Sequence, residues 1–351
     1  MKKIEYYSFG IDIGGTNTKI SIFHICSTKK KDKQQIRLKF NDLSLGIKLI
    51  DSTTFKTVES GNNLNNFIDN LYRSFNLLLT KNNINKNYRF AFSFATPGLP
   101  DNLKKRVIGG AYNIEFLNKI DFKKVIRNFD KDYLYLNLIN DVTSQGYYEQ
   151  VLKKDKFINS DDIALLIAIG TGIGGAIFSK DKIILGHRGW AAEFGHLPIW
   201  FESMGNLKYK CTCGKLNCIE TFASARAYIN MLKEKGLFLN AEEAILKFLS
   251  NDSNDEILTI TEFWLDSLSS LISSLIYIFN PSIIIIGGSI AKIEKFSELL
   301  YNKTKEKVNP IIFENVKFYP SSSAVLAGTY GAVIHGITAE FKKIRRNYAS
   351  R

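Results

Sequence analysis

Apolar runs that end in glycine set the layout of this chain. Tyr6–Ile13 is a β-rich apolar run, and Lys19–Ile25 resumes it after Gly14-Gly15-Thr16, which predicts a hairpin with a glycine-rich turn. Residues 27–48 are polar and lysine-rich with little periodicity, which predicts an irregular surface insertion before a third strand at Leu49–Lys56. Leu64, Phe67, Ile68, Leu71, Phe75, Leu78 and Leu79 recur at helical spacing, so a helix covers one sheet face there. Arg89–Ala95 reads as a strand stopped by Thr96-Pro97-Gly98. Tyr133–Ile139 reads as another, delivering Asn140 and Asp141 to a helix over Val142–Val151.

The second half repeats the opening. Ile163–Ile169 is an apolar strand, followed by Gly170-Thr171-Gly172-Ile173-Gly174-Gly175 and a strand at Ala176–Phe178. Helices are predicted at Thr221–Lys235, Ala241–Leu249 and Ile257–Phe279. Pro281 then admits a strand, Ile283–Ile286, which ends at Gly287-Gly288 ahead of a helix over Ser289–Tyr301. A last helix, about Ala324–Gly336, carries the small residues Ala327, Gly328, Gly331 and Ala332, which permit tight packing. The pattern is α/β, with a duplicated lobe that gives each half a glycine turn on a shared cleft.

Such turns let backbone N–H groups approach phosphate oxygens, and Thr16 adds a hydroxyl. A plain hairpin turn explains Gly14-Gly15 equally well taken alone, as a helix cap explains Asp141. Recurrence of the layout favours phosphate.

From Gly186 to Glu220 the chain packs an acid, a histidine and three cysteines into one short span. It runs Gly186-His187-Arg188-Gly189-Trp190-Ala191-Ala192-Glu193-Phe194-Gly195-His196, and later Cys211-Thr212-Cys213-Gly214-Lys215-Leu216-Asn217-Cys218-Ile219-Glu220. Three thiolates and one imidazole complete a tetrahedral structural zinc site, whereas a catalytic zinc needs an open position. A Cys-x-Cys disulfide would be strained. The metal is expected to fix the loop that carries Glu193 and Glu220. Cys26 stands apart and reads as a small buried hydrophobe.

Length and charge add bounds. The 351 residues, 45% of them hydrophobic, suffice for two domains. The formal charge of +13 would suit a polyanion binder. Yet the lysines are scattered, with one dense run at Lys29, Lys30, Lys31 and Lys33 and no DNA-reading module, so a solvated basic face is expected and no nucleic-acid partner. The most apolar region, Leu265–Gly288, is interrupted by Asp266, Asn280 and Pro281, so no membrane span is expected. Met1–Gly10 lacks the apolar core of a signal peptide, which predicts a cytoplasmic location.

Taken in order, these motifs make the chain resemble the ROK family (repressor, open reading frame, kinase), and within it the glucokinase-like sugar kinases. The motifs are Asp12-Ile13-Gly14-Gly15-Thr16, Asn140-Asp141, Gly170–Gly175, Glu193-Phe194-Gly195-His196, the Cys211, Cys213, Cys218 knuckle with Glu220, and Gly287-Gly288. The resemblance implies an actin-like ATPase (ribonuclease H-like) fold with two lobes around a cleft. The lobes would be 1–139, with 27–48 as its insertion, and 140–351, with the zinc knuckle at 196–218 and the last helix able to pack back on the first lobe.

It also implies ATP-dependent phosphorylation of a hexose hydroxyl, glucose first, with an N-acylhexosamine or fructose as alternatives. Asp141 would be the general base, and Gly98, Asn140, Asp141, Glu193, His196 and Glu220 would hold the sugar. Asp12, Gly14, Gly15, Thr16, Lys19, Gly170, Thr171, Gly172, Gly287 and Gly288 would serve ATP and Mg²⁺, while His196, Cys211, Cys213 and Cys218 would hold Zn²⁺. A homodimer is implied as well. Ala192 and Asn217 stand where the family usually has glycine. A sugar-responsive repressor of the same family would carry a helix-turn-helix ahead of Asp12, where the chain leaves no room for one. Polyphosphate is a rival donor that the +13 charge favours.

Overall fold

Alternating apolar residues build the first sheet. The computed structural model describes residues 4–28, 35–40, 43–58, 63–198, 209–250, 252, 254–322 and 325–349, the last six of these as backbone only. It divides into two compact units: Met1–Val151 with His187–Trp190 and Ala324–Arg351, and Leu152–Gly186 with Ala191–Ser323. The division in the chain therefore falls after the helix that follows Asn140, not at residue 139. That helix stays with the strand that leads into it.

In the first unit, β1 (Glu5–Ile13) and β2 (Asn17–Ser27) form the predicted hairpin, with Asp12 opposite Lys19. β3 (Ile36–Phe40) and β4 (Leu43–Lys56) extend the sheet from β2. Much of the expected insertion is therefore regular strand. Leu38, Leu45 and Ile47 are buried while Lys39 and Lys48 are exposed, a period of two that the abundance of lysine obscured. The Lys29–Lys33 run lies outside the described residues.

α1 (Leu64–Lys81) buries Phe67, Leu71, Phe75, Leu78 and Leu79, as its spacing predicts. β5 (Phe90–Thr96) follows, then a small hairpin of β6 (Pro100–Asp101) and β7 (Arg106–Val107), α2 (Phe122–Phe129), β8 (Leu136–Asn140) and α3 (Asp141–Leu152). β1, β5 and β8 run parallel, so the sheet order is β3-β4-β2-β1-β5-β8. Asp12 and Asn140 thus end two parallel strands that flank β5, where ligands of such sheets gather.

The second unit is built on β9 (Ala164–Ile169) and β10 (Ile173–Phe178), again an antiparallel hairpin. β10 begins earlier than Ala176, so Gly174 and Gly175 lie in the strand and only 170–172 form the turn. The predicted helix from Thr221 to Lys235 is two helices, α4 (Glu220–Ala223) and α5 (Ala225–Glu234), because the Ser224 hydroxyl caps the second by accepting from the Ala227 amide at 3.1 Å. α6 (Ala241–Leu249) and α7 (Asp255–Phe279) follow.

β11 (Ile283–Gly287) is fully buried. After it a 3₁₀ turn at Ile290–Lys292 and Lys295, at φ +70°, delay the predicted helix to α8 (Phe296–Lys305). α9 (Pro310–Phe313) and β12 (Lys317–Pro320) complete a parallel crossover, and the sheet order is β10-β9-β11-β12. α7 fills the core of this unit through Trp264, Leu268 and Ile272.

α10 (Ala327–Ala349) belongs to the first unit and runs well past the predicted end at Gly336. Glycines on α10 and on β1 let it approach closely: a Cβ on Gly331 of α10 would sit 1.7 Å from the Ser144 carbonyl oxygen of α3, and one on Gly10 of β1 would sit 2.4 Å from that of Thr329. No helix among the described residues is long and apolar enough to cross a membrane.

Candidate active site

Two half-buried carboxylates, Asp12 and Asp141, dominate the site in the first unit. Burial raises the pKa of Asp12 to about 6, the neighbouring Asp141 charge adds to that rise, and Lys19 across the hairpin opposes it. Gly328 of α10 lies against this carboxyl group, where a Cβ would come within 2.4 Å of its oxygen. Sequence reading marked Gly328 only as small. Its contact with Asp12 has no local signal, because the two residues lie at opposite ends of the chain.

Asp141 opens α3. Burial raises its pKa as well, while the amide of Val142, 2.9 Å from Oδ1, and its own amide draw it back. The cap of α3 is Asn140, not Asp141: Asn140 Oδ1 accepts from the amides of Val142 at 2.9 Å and Thr143 at 3.1 Å. Its Nδ2 donates to the Gly98 carbonyl at 3.3 Å. Gly98 and Gly110 both need positive φ, +82° and +81°, and pack back to back, so the turn after β5 is held beside Asn140-Asp141.

The first glycine turn is pinned by a residue the sequence did not single out. Thr57 Oγ1 donates to the Gly14 carbonyl at 2.7 Å, and its amide donates to that of Thr16 at 3.0 Å. Neither Gly14 nor Gly15 has positive φ, and a Cβ on Gly15 would meet nothing within 4 Å. Neither backbone conformation nor a neighbouring atom of the protein therefore requires glycine at residue 15.

In the second unit the matching turn is anchored by α5: the Ala225 amide donates to the Gly170 carbonyl at 3.0 Å and Arg226 Nε to that of Thr171 at 2.9 Å. Gly288, at φ +96°, packs on the same strand end, where a Cβ would lie 1.9 Å from the Ile169 carbonyl oxygen. The second and third glycine turns are therefore adjacent. Beyond Gly288 a cavity of about 1030 Å³ is lined by Lys292, Lys295, Tyr301, Lys317, Phe318 and Tyr319.

The knuckle assembles as its spacing predicts. The candidate ligand atoms of His196, Cys211, Cys213 and Cys218 all lie within 4.8 Å of one another. Cys213 Sγ is 3.6 Å from Cys218 Sγ, and Cys211 Sγ is 3.6 Å from His196 Nδ1. A tetrahedron with ordinary zinc bond lengths has edges of about 3.8 Å between sulfurs and about 3.6 Å from sulfur to nitrogen, so the donor set fits zinc in kind and in size.

Burial and the Glu220 carboxylate push the Cys211 thiol well up, and burial with Cys213 raises Cys218. For Cys213 burial acts upward too, but the Lys215 amide and the two other sulfurs outweigh it and leave the thiol below its usual range. Gly214, at φ +88°, and Asn217, at φ +56°, turn the loop, and Asn217 Oδ1 accepts from the Tyr209 amide at 2.9 Å. Ala192 takes φ +71°, so it and Asn217 adopt the left-handed conformation that glycine adopts without strain.

His196 Nδ1 faces the sulfurs, and Nε2 lies 4.0 Å from Glu193 Oε2. The two ring nitrogens thus point to different tasks. Glu220 is turned toward the knuckle: its Oε1 is 2.9 Å from Cys211 Sγ, while Oε2 lies where a Cβ on Gly172 would be only 2.6 Å away. It stands in the first turn of α4, whose N-cap, Ile219, makes no side-chain bond, so Glu220 is not a cap. Buried Trp264 holds the far end of α4, donating from Nε1 to the carbonyls of Ala223 at 3.0 Å and Ser224 at 3.1 Å.

The sites expected from the sequence thus gather unit by unit. Asp12, the Gly14–Thr16 turn and Lys19 meet at one hairpin end, and Gly98, Asn140 and Asp141 at another. The Gly170–Gly172 and Gly287-Gly288 turns adjoin, and Glu193, His196, Glu220 and the cysteines share the knuckle.

A protein-family model described as ROK family matches residues 8–337. The glucokinase of Thermotoga maritima is 32% identical over 160 residues, which cover 42% of this chain and 48% of that protein. The N-acetyl-D-glucosamine kinase of Pectobacterium atrosepticum is 24% identical over 163 residues, covering 45% and 53%. The chain thus spans about half the length of these curated relatives. Among solved structures, the ROK hexokinase from Thermus thermophilus superposes with a TM-score of 0.69 at 17% identity, over 96% of this chain and 99% of that one, a likeness of fold.

Proposed function

The chain belongs to the ROK family, and from that premise we propose that it is an ATP-dependent kinase that phosphorylates a hexose hydroxyl, with glucose to glucose 6-phosphate as its main reaction. The observation that carries the reading is Asp141: a half-buried carboxylate whose pKa desolvation raises, on the first turn of a helix and tied through Asn140 to the Gly98 turn. A base poised nearer neutrality accepts a hydroxyl proton more readily.

In the reaction the sugar O–H proton passes to Asp141. The oxygen forms a bond to the γ-phosphorus of ATP, and the bond from that phosphorus to the β–γ bridging oxygen breaks, releasing ADP. Phosphoryl transfer asks the protein chiefly for positioning and charge stabilisation. Amides at Gly14–Thr16 and Gly170–Gly172 would hold phosphate oxygens. The Gly287-Gly288 turn and the cavity beyond it suit a nucleoside.

Asp12 would orient Mg²⁺ through water, an ion that neutralises phosphate charge when bound. Zn²⁺ held by His196, Cys211, Cys213 and Cys218 would be structural, fixing the backbone that carries Glu193 and Glu220. His196 Nε2, Glu193 and Glu220 would take sugar hydroxyls.

An N-acylhexosamine is the second reading, supported by likeness to an N-acetyl-D-glucosamine kinase. ADP release measured with glucose, N-acetylglucosamine, N-acetylmannosamine, mannose and fructose decides between them. Glucose should give the highest kcat/KM. No sugar-dependent ADP release with any of the five would overturn the proposal.

A further inference from the structure

We infer that Trp190 is a positioning residue for sugar recognition, holding the hairpin of residues 98–110 that abuts Asn140-Asp141. The inference rests on the kinase reading above.

Residues His187–Trp190 group with the first unit, although the chain on both sides of them groups with the second. Gly186, just ahead of this short piece, and Gly189, within it, take φ +71° and +86° and turn the backbone. A Cβ on Gly189 would meet nothing within 4 Å, so glycine is needed there for its conformation, which presents Trp190.

Trp190 Nε1 donates to the Pro100 carbonyl at 3.0 Å. The Arg188 guanidinium lies 5.4 Å from the centre of the indole ring, close enough for a cation–π contact that restrains it. Pro100 belongs to β6, paired with Val107 of β7. Two further bonds close the hairpin, Leu99 N–H to the Gly109 carbonyl at 2.8 Å and Ile108 N–H to that of Leu99 at 3.0 Å.

At the open end of this hairpin stands Gly98, whose carbonyl accepts from Asn140. The path from indole to base is therefore short and continuous: Trp190, Pro100, Gly98, Asn140, Asp141. A shift of the hairpin moves the acceptor that orients Asn140. Trp190 itself need not touch sugar.

Trp190→Phe tests this, because it deletes the N–H and keeps a ring under Arg188. The variant should keep the wild-type melting temperature and ATP KM. Its sugar KM should rise roughly three- to tenfold, the loss expected for one hydrogen bond. Amide exchange at Leu99 and Ile108 should quicken in the absence of any ligand. Arg188→Met should move the same readouts in the same direction, by less.

Wild-type sugar KM with unchanged exchange at Leu99 and Ile108 would overturn the inference. Faster exchange without a change in sugar KM would overturn the role in recognition. A general loss of melting temperature, with both KM values affected alike, would reduce Trp190 to a structural contact, and Arg188→Met would then be read alone by the same criteria. An inactive wild type would instead strike the kinase reading.

Discussion

His335 makes the acid stability of the first unit a quantitative test. It lies on α10, 5% exposed, beside the Tyr147 ring at 5.3 Å, and its Nδ1 has no hydrogen-bond partner. Burial, and then the positive charges of Lys105, Lys342 and Lys343, lower its pKa from 6.5 to about 3. Since the folded value lies below the unfolded one, only the unfolded chain takes up a proton as the pH falls. Stability from this group is therefore full above about pH 6.5 and is lost progressively toward pH 3.

The slope approaches about 1.4 kcal/mol per pH unit, which amounts to about 2 kcal/mol between pH 6.5 and pH 5. Lys105, whose pKa burial lowers to about 8, stays protonated in both states over that range and adds no slope. The raised carboxylates Asp12 and Asp141 act in the opposite sense, but equally in wild type and variant. Urea midpoints of wild type and His335→Leu across this range give the difference directly. The variant should lose about 2 kcal/mol less on acidification. Parallel curves would refute a buried, neutral His335.

Other predictions follow from the sites themselves. Purified protein should contain about one zinc per chain, lost in Cys213→Ser; a metal-free protein that stays active and stable under chelation would contradict the knuckle assignment. Glu193→Ala and Glu220→Ala should each raise sugar KM by about tenfold with ATP KM unchanged, as for a hydrogen bond to a charged group. A lowered melting temperature with unchanged sugar KM in Glu220→Ala would confine that carboxylate to Cys211. Gly328→Ala, whose Cβ would meet Asp12 at 2.4 Å, should raise ATP KM or cut kcat by tenfold or more while sugar affinity holds; wild-type kinetics would show that Asp12 can move freely.

Chemistry that is local in the chain was legible. The cysteine spacing, the Asn140-Asp141 pair and the glycine turns each announce themselves within a few residues, and the structure assembles the knuckle from them. What stayed hidden depends on distant partners. Thr57 pins the Gly14 turn across a sheet pair, Arg226 anchors Thr171 from a helix after the knuckle, and Gly328 meets Asp12 from the far end of the chain. Nothing near any of them in sequence signals the contact.

Two further misreadings have local causes. Lysines on the exposed face of β3 and β4 masked the alternation of Leu38, Leu45 and Ile47, so strands were expected to be irregular. Ser224 interrupts a run of good helix formers, and only its cap bond to Ala227 reveals that two helices meet there. Glu220 illustrates a third limit. Its place beside the cysteines was evident, but the turn of its carboxylate onto Cys211 and Gly172 is a matter of side-chain geometry.

Asp141 carries the central claim, and Asp141→Asn tests it most directly. The amide has nearly the same shape and can still accept from the Val142 N–H, so the fold and the Asn140 cap should persist, but it cannot take the hydroxyl proton. Sugar binding by calorimetry and ADP release with saturating sugar should be measured on the same preparation. The account predicts sugar affinity within a few-fold of wild type and kcat lower by about a thousandfold or more. A variant that binds sugar normally and turns over at near the wild-type rate would contradict it.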